Sequence, residues 1–196
     1  SNITTSGNSF FSAFNYSGSL TSLPEGSFDI SNITTAGNYF FRQFNYSGSL
    51  TSLPANSFNT YNISSYGYGA FSYFNKGTST KRGQLTQLPA GSFQLRPGAT
   101  FTSPSTASQG MFYQFNCYGN LTSLPLGSFD TTVIDTATNT GAFGGFNENG
   151  YIRKDTTNYT RTKTKQSASV NAHYYNGSSW TTESVAANGQ FYWKAT

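Results

Sequence analysis

Apolar residues return along this chain at fixed long intervals rather than in a helical rhythm. "GSLTSLPEGSF" at 18–28 comes back as "GSLTSLPANSF" at 48–58, "GQLTQLPAGSF" at 83–93 and "GNLTSLPLGSF" at 119–129. Residues 1–30 match residues 31–60 without a gap, so the basic period is 30 residues. Aligned this way, Phe14, Phe44, Phe74, Phe115 and Phe146 form one column, and Leu20, Leu50, Leu85, Leu121 and Ile152 a second. Leu23, Leu53, Leu88 and Leu124 form a third, and Phe28, Phe58, Phe93 and Phe129 a fourth. One repeat cannot bury such a set alone, whereas stacking places each residue on its equivalent and makes continuous apolar columns. No stretch keeps the i, i+3, i+4, i+7 spacing of an amphipathic helix for more than one turn. The pattern therefore predicts short parallel strands and turns, with single helical or 3₁₀ turns near "FFSAF". Between the two candidates for the main sheet, "LTSLP" is favoured over "FFxxFNY", and Pro24, Pro54, Pro89 and Pro125 close each short strand because proline has no N–H to donate.

The third copy, 61–95, takes five extra residues in "KGTSTKRGQ", and the fourth, 96–131, takes six in "RPGATFTSPSTASQG". Length tolerated at two phases of the repeat marks two loops. A fifth, partial copy spans 132–152 and ends where Asp155 stands in place of the next leucine. Asn15, Asn45, Asn75, Asn116 and Asn147 follow the first phenylalanine column directly. An asparagine repeated at one inward position is expected to bond backbone groups in its own turn and the amide of the next copy.

Beyond residue 152 the pattern changes. "YTRTKTKQ" alternates as a strand does and puts Arg161, Lys163 and Lys165 on one face. "SVNAHYY", "NGSS" and "WTTESV" read as a hairpin, and "GQFYWKA" as a further strand. The expected organisation is a solenoid over 1–152 and a β cap, or the start of a following β module, over 153–196. In the cap reading Tyr174, Trp180, Phe191 and Trp193 cover the open end of the stack. A sharper reading makes Arg161, Lys163, Lys165 and Trp180 a patch for glycans or anionic cell-wall polymers.

Composition narrows the functional classes. Only 9% of residues are charged, against roughly 25% in an average soluble domain, while 17% are aromatic. Six of the eleven Lys and Arg lie between Arg153 and Lys194, which is not the basic stripe along a scaffold that nucleic-acid binding calls for. The single cysteine, Cys117, excludes an intramolecular disulfide. No apolar run reaches the ~18 residues of a membrane span, so no direct membrane insertion is expected of this stretch. The chain opens inside a repeat, which implies a fragment whose signal or anchor lies elsewhere.

Catalytic constellations are sparse. Cys117 falls in a column otherwise held by Tyr16, Tyr46 and Lys76, which marks a tolerated variant rather than a nucleophile, and His173 is the one histidine. Clusters of Cys and His with zinc spacing, and acidic loops for calcium, are missing from the sequence. Asp29 and Asp130 share a position with Asn59 and Gln94, which suits a turn residue better than a catalytic carboxylate. No enzyme activity, cofactor or metal is expected.

At the level of the whole unit, "SFDISNITTAGNYFFRQFNYSGSLTSLP" and "MFYQFNCYGNLTSL" resemble the BspA-type leucine-rich repeat of bacterial surface proteins, over about residues 1–152. Phenylalanine often replaces the family's methionine, and the units vary from 30 to 36 residues. The resemblance implies a surface-exposed or secreted repeat protein that binds other proteins or cell surfaces. The combined expectation is a right-handed leucine-rich-repeat-like β-solenoid of about five coils with a small β C-terminal element, acting as a non-enzymatic adhesin. Its partner-binding residues are Thr21, Thr51, Thr86 and Thr122, one per coil, with Tyr16, Tyr46 and Tyr73 nearby. The partner is a protein or a cell-surface glycan, with end-to-end self-association as a further expectation; a carbohydrate-binding module and a structural spacer or surface-layer unit are the alternatives.

Overall fold

The computed structural model describes residues 3–129, 134, 141–163, 170–186 and 189–196, without the side chains of 160–163 and 170. Its regular structure is scant. Three two-residue strands, β1 (Thr35–Ala36), β2 (Ser65–Tyr66) and β3 (Thr100–Phe101), pair in parallel in the order β1-β2-β3. The C-terminal stretch holds β4 (Tyr159–Lys163) antiparallel to β7 (Gln190–Lys194), and β5 (Val170–Tyr175) antiparallel to β6 (Trp180–Val185). The β5–β6 turn is tied by Asn176, whose side-chain oxygen accepts from the N–H groups of Ser178 and Ser179 at 3.0 and 2.9 Å. Among the described residues the only helix is the three-residue 3₁₀ turn Ala107–Gln109.

This architecture corrects the expected five-coil right-handed leucine-rich-repeat-like β-solenoid. Among the described residues no sheet runs through the repeats: the one parallel sheet is three strands of two residues, and the rest of each repeat is turns and irregular chain. The small sheet is also in neither expected place, since it lies in the "ITTA" segment rather than in "LTSLP" or "FFxxFNY".

The physical reason lies in the backbone. Left-handed φ recurs at matching non-glycine positions, at Ala13, Asn15 and Ser17, then Gln43, Asn45 and Ser47, then Gln114, Asn116 and Tyr118. A residue with φ near +50° breaks the pleat, so each "FFxxFNY" segment curls into overlapping turns. Those turns close on themselves, as in Ser12 N–H to Ser9 O at 3.1 Å and Tyr16 N–H to Ala13 O at 3.1 Å. Their remaining groups bond the neighbouring repeat: Phe11 N–H to Phe40 O at 2.8 Å, Ala13 N–H to Arg42 O at 2.8 Å and Ser17 N–H to Tyr46 O at 2.7 Å. The backbone is thus satisfied between repeats from a curled conformation, and no extended strand is needed.

The core is built on the predicted phenylalanine columns together with a column the alignment left out, Phe11, Phe41, Phe71, Phe112 and Phe143, which also stacks. Phe14, Phe44, Phe74, Phe115 and Phe146 stack with ring centroids 5.3, 5.0, 5.0 and 5.2 Å apart. The Phe28, Phe58, Phe93 and Phe129 column meets them edge to face, with Phe93 5.3 Å from Phe74 at 85°. Edge-to-face pairs add about 0.5–1.5 kcal/mol each beyond burial, so interlocked columns hold the turn-rich backbone in register. The asparagine column runs beside them. Each Nδ2 donates to the next asparagine's Oδ1, at 2.8, 3.0, 3.0 and 2.8 Å from Asn15 to Asn147, and each amide also bonds both N–H and C=O of the residue in the Leu20 to Ile152 column.

The two ends of the stack differ. At the first repeat Ile3, Phe10 and Leu20 are exposed, whereas their equivalents Ile33, Phe40 and Leu50 are buried. At the last repeat Trp193 packs on Phe146 at 4.9 Å, Asn147 Nδ2 donates to the backbone carbonyl of His173 at 3.0 Å, and Ala195 pairs in parallel with Leu124. Strand β5 thus supplies a carbonyl where a sixth asparagine would stand.

Candidate functional site

The threonines singled out by the repeat do form a row. Thr21, Thr51, Thr86 and Thr122 are all exposed, and each N–H after the first bonds the preceding threonine's carbonyl, at 3.3, 3.3 and 3.4 Å. The hydroxyls of Thr51 and Thr86 reach the same carbonyls at 3.4 Å. The row thus presents side chains on a backbone already paired between repeats, with the hydroxyls of Thr51 and Thr86 turned to that backbone.

Tyr16, Tyr46 and Tyr73 are drawn together by cations that the sequence reading passed over. Tyr16 and Tyr46 stack at 4.8 Å. Lys76 Nζ then lies 5.4 Å from the Tyr46 ring centre and 5.1 Å from that of Tyr73. Arg42 continues the series, its guanidinium carbon 5.1 Å from the Tyr73 centre and 5.0 Å from that of Tyr39. Ring and cation therefore alternate along this face, each contact contributing about 0.5–1 kcal/mol where solvent reaches it. The signal was present in the alignment, since Lys76 stands in the Tyr16 and Tyr46 column, but one lysine in a tyrosine column looks like tolerance until the rings on either side are placed.

Of the four C-terminal candidates, Trp180 alone has a described side chain. Lys165 lies outside the described residues, as do the side chains of Arg161 and Lys163, whose backbones belong to β4. Trp180 belongs to the other two-stranded sheet, half exposed, with Tyr151 at 5.6 Å and Tyr175 at 5.8 Å. The cation beside it is Arg82, 5.5 Å from the Trp180 ring centre and 4.3 Å from that of Tyr151. Arg82 comes from the insertion in the third repeat and bonds Asn120 Oδ1, Gly119 O and Asn149 O at 2.9, 3.0 and 2.6 Å. That loop is thereby a clamp across the following repeats, and its guanidinium is occupied by backbone carbonyls.

Of the two rare reactive residues, Cys117 is enclosed and His173 is half-buried. Cys117 is 2% exposed, and burial pushes its thiol up to about 11. Because the thiolate is the reactive form, alkylation of folded protein by iodoacetamide at pH 8 is expected to run about a hundredfold slower than in denaturant. Comparable rates in the two states would contradict the burial. A thiol raised in this way favours the fold below its unfolded value near 9, and that contribution is lost as pH rises through about 11. His173 bonds Thr182 Oγ1 through Nδ1 at 3.0 Å, and burial holds its imidazole below the usual range. Asp29 accepts from Ser31 N–H at 2.9 Å, and those bonds to Ser31 hold its carboxyl low, as a turn residue's would be.

Glycines at one position escaped the sequence reading altogether. Gly18, Gly48, Gly83, Gly119 and Gly150 follow the asparagines, and a Cβ on any of them would strike that asparagine's Oδ1. At Gly48, Gly83, Gly119 and Gly150 it would also strike the backbone carbonyl of an asparagine in the column. The ladder needs this close approach.

Comparison with family models, with curated proteins and with solved structures found no match to the chain.

Proposed function

We propose that the chain is a non-enzymatic interaction module of a secreted or cell-surface protein, an adhesin whose repeats present one extended face to a partner protein. The observation that carries this reading is the register of the exposed threonine row, one per repeat and held to its neighbours through the backbone. Such a row is rigid before it binds, so little conformational entropy is lost on contact. The tyrosines and Arg42 of the ring-and-cation series are residue types that dominate binding energy at protein interfaces. The likeness of the repeat unit to BspA-type units supports a surface setting by analogy.

The test is surface plasmon resonance of the protein over immobilised extracellular-matrix proteins, with a Thr51→Arg/Thr86→Arg double variant beside it. Both sites are exposed, so the fold is expected to survive within about 0.5 kcal/mol per site. Saturable binding that weakens at least about tenfold in the double variant is the expected result. Binding untouched by the double variant would remove this face from the reading, and absence of any protein partner would remove the reading itself.

A further inference from the structure

The alternating ring and cation series carries a more specific reading, which rests on the chain being an interaction module and names its partner's chemistry. Arg42 and Lys76 approach the same ring, Tyr73, each at 5.1 Å from its centre. Among the described residues the one ion pair is Lys154 with Glu183, so neither cation on Tyr73 has an acidic partner. Lys76 Nζ donates to the neutral Gln114 Oε1 at 2.7 Å, and Arg42 Nε is buried without a hydrogen-bond acceptor. A third cation, Lys81, is brought to the first repeat by the same insertion loop as Arg82 and donates to Ser17 O at 3.2 Å, next to Tyr16. The acid that does stand in this part of the molecule, Glu148, lies in the Lys76 and Cys117 column one repeat beyond Cys117.

We propose that the face centred on Arg42, Tyr73 and Lys76 is a recognition site for carboxylates of an acidic polypeptide segment. Aromatic rings hold both cations with their charge unneutralised, so an incoming carboxylate gains a charge-assisted bond without first breaking an ion pair. Arg42 offers a planar fork for one carboxylate and Lys76 a point charge for a second. A sugar ligand fits this face less well. Stacking on a sugar requires free ring faces, and here Tyr46 lies between Tyr16 and Lys76 while Tyr73 carries both cations.

The experiment is fluorescence anisotropy of a fluorescein-labelled oligoglutamate peptide titrated with the intact protein at low salt, with unlabelled heparin fragment as competitor. Arg42→Met and Lys76→Met keep most of the apolar stem and remove the charge. Each is expected to weaken oligoglutamate binding about tenfold, and the pair further, while Arg96→Met and Lys194→Met, at exposed positions elsewhere, change it less than twofold. Thermal melts of all four variants separate lost binding from lost fold. Equal weakening by all four would show attraction to net charge alone and overturn the site. Absence of oligoglutamate binding would overturn it too, and so would tighter binding of heparin, which would assign the face to a sulfated glycan. Matrix-protein binding without oligoglutamate binding sinks this site and leaves the interaction module standing. Oligoglutamate binding lost in the two variants, with no matrix protein bound, leaves this site standing and removes matrix proteins and the threonine face from the reading.

Discussion

Asn75→Ala is expected to cost about 4 kcal/mol or more, enough to bring the protein close to unfolding at room temperature. Asn75 is fully buried and makes four bonds: Nδ2 to Leu85 O at 3.2 Å and to Asn116 Oδ1 at 3.0 Å, and Oδ1 from Leu85 N–H at 3.1 Å and from Asn45 Nδ2 at 3.0 Å. Truncation leaves those partners in a dry interior, where each unsatisfied group costs about 1–3 kcal/mol. Its backbone also sits at φ 47°, which asparagine adopts at less cost than alanine, adding roughly 1 kcal/mol. Asn15→Ala, at the open end of the same ladder, is expected to cost only about 1 kcal/mol because water replaces the lost bonds. Urea denaturation of the two variants checks the contrast. Equal losses would mean that burial is not what makes the ladder matter.

The second large effect is expected at Phe93→Ala, at about 3–5 kcal/mol. Phe93 is fully buried and joins the phenylalanine columns, with Phe71 at 4.9 Å, Phe74 and Phe129 at 5.3 Å, Phe115 at 5.4 Å, Phe58 at 5.5 Å and Phe112 at 5.9 Å. Removing its ring opens a cavity walled by other rings, which are held by their own stacks and cannot collapse into it. Phe10→Ala, at 44% exposure on the first repeat, is expected to cost under about 1 kcal/mol. Thermal unfolding of both variants supplies the comparison, and a small shift for Phe93→Ala would show that the columns are looser than their geometry.

Parts of the candidate site could be read from the repeat because they recur. The threonine row and the Tyr16 and Tyr46 stack each follow from equivalent positions falling on one another. Arg42, Lys76 and Arg82 do not recur, so no column announces them, and their roles arise only when rings from neighbouring repeats are placed beside them. The glycines do recur, but a glycine in a column is uninformative until the asparagine it must pass is known to point at it. Arg161 and Lys163 belong to β4 and Trp180 to β6, strands that pair into separate sheets, which their places in the chain do not announce.

By itself the sequence determined the period and the stacking of the phenylalanine and asparagine columns it aligned, because stacking equivalents is how such repeats bury them. The tertiary structure alone decided that these repeats are turns and not strands. Hydrogen bonds between repeats can be met by an extended backbone or by one curled through left-handed residues, and both leave the same side chains in column. Packing between repeats selects the second, and it likewise decides that a carbonyl of β5 and the ring of Trp193, from outside the repeat, close the far end of the stack.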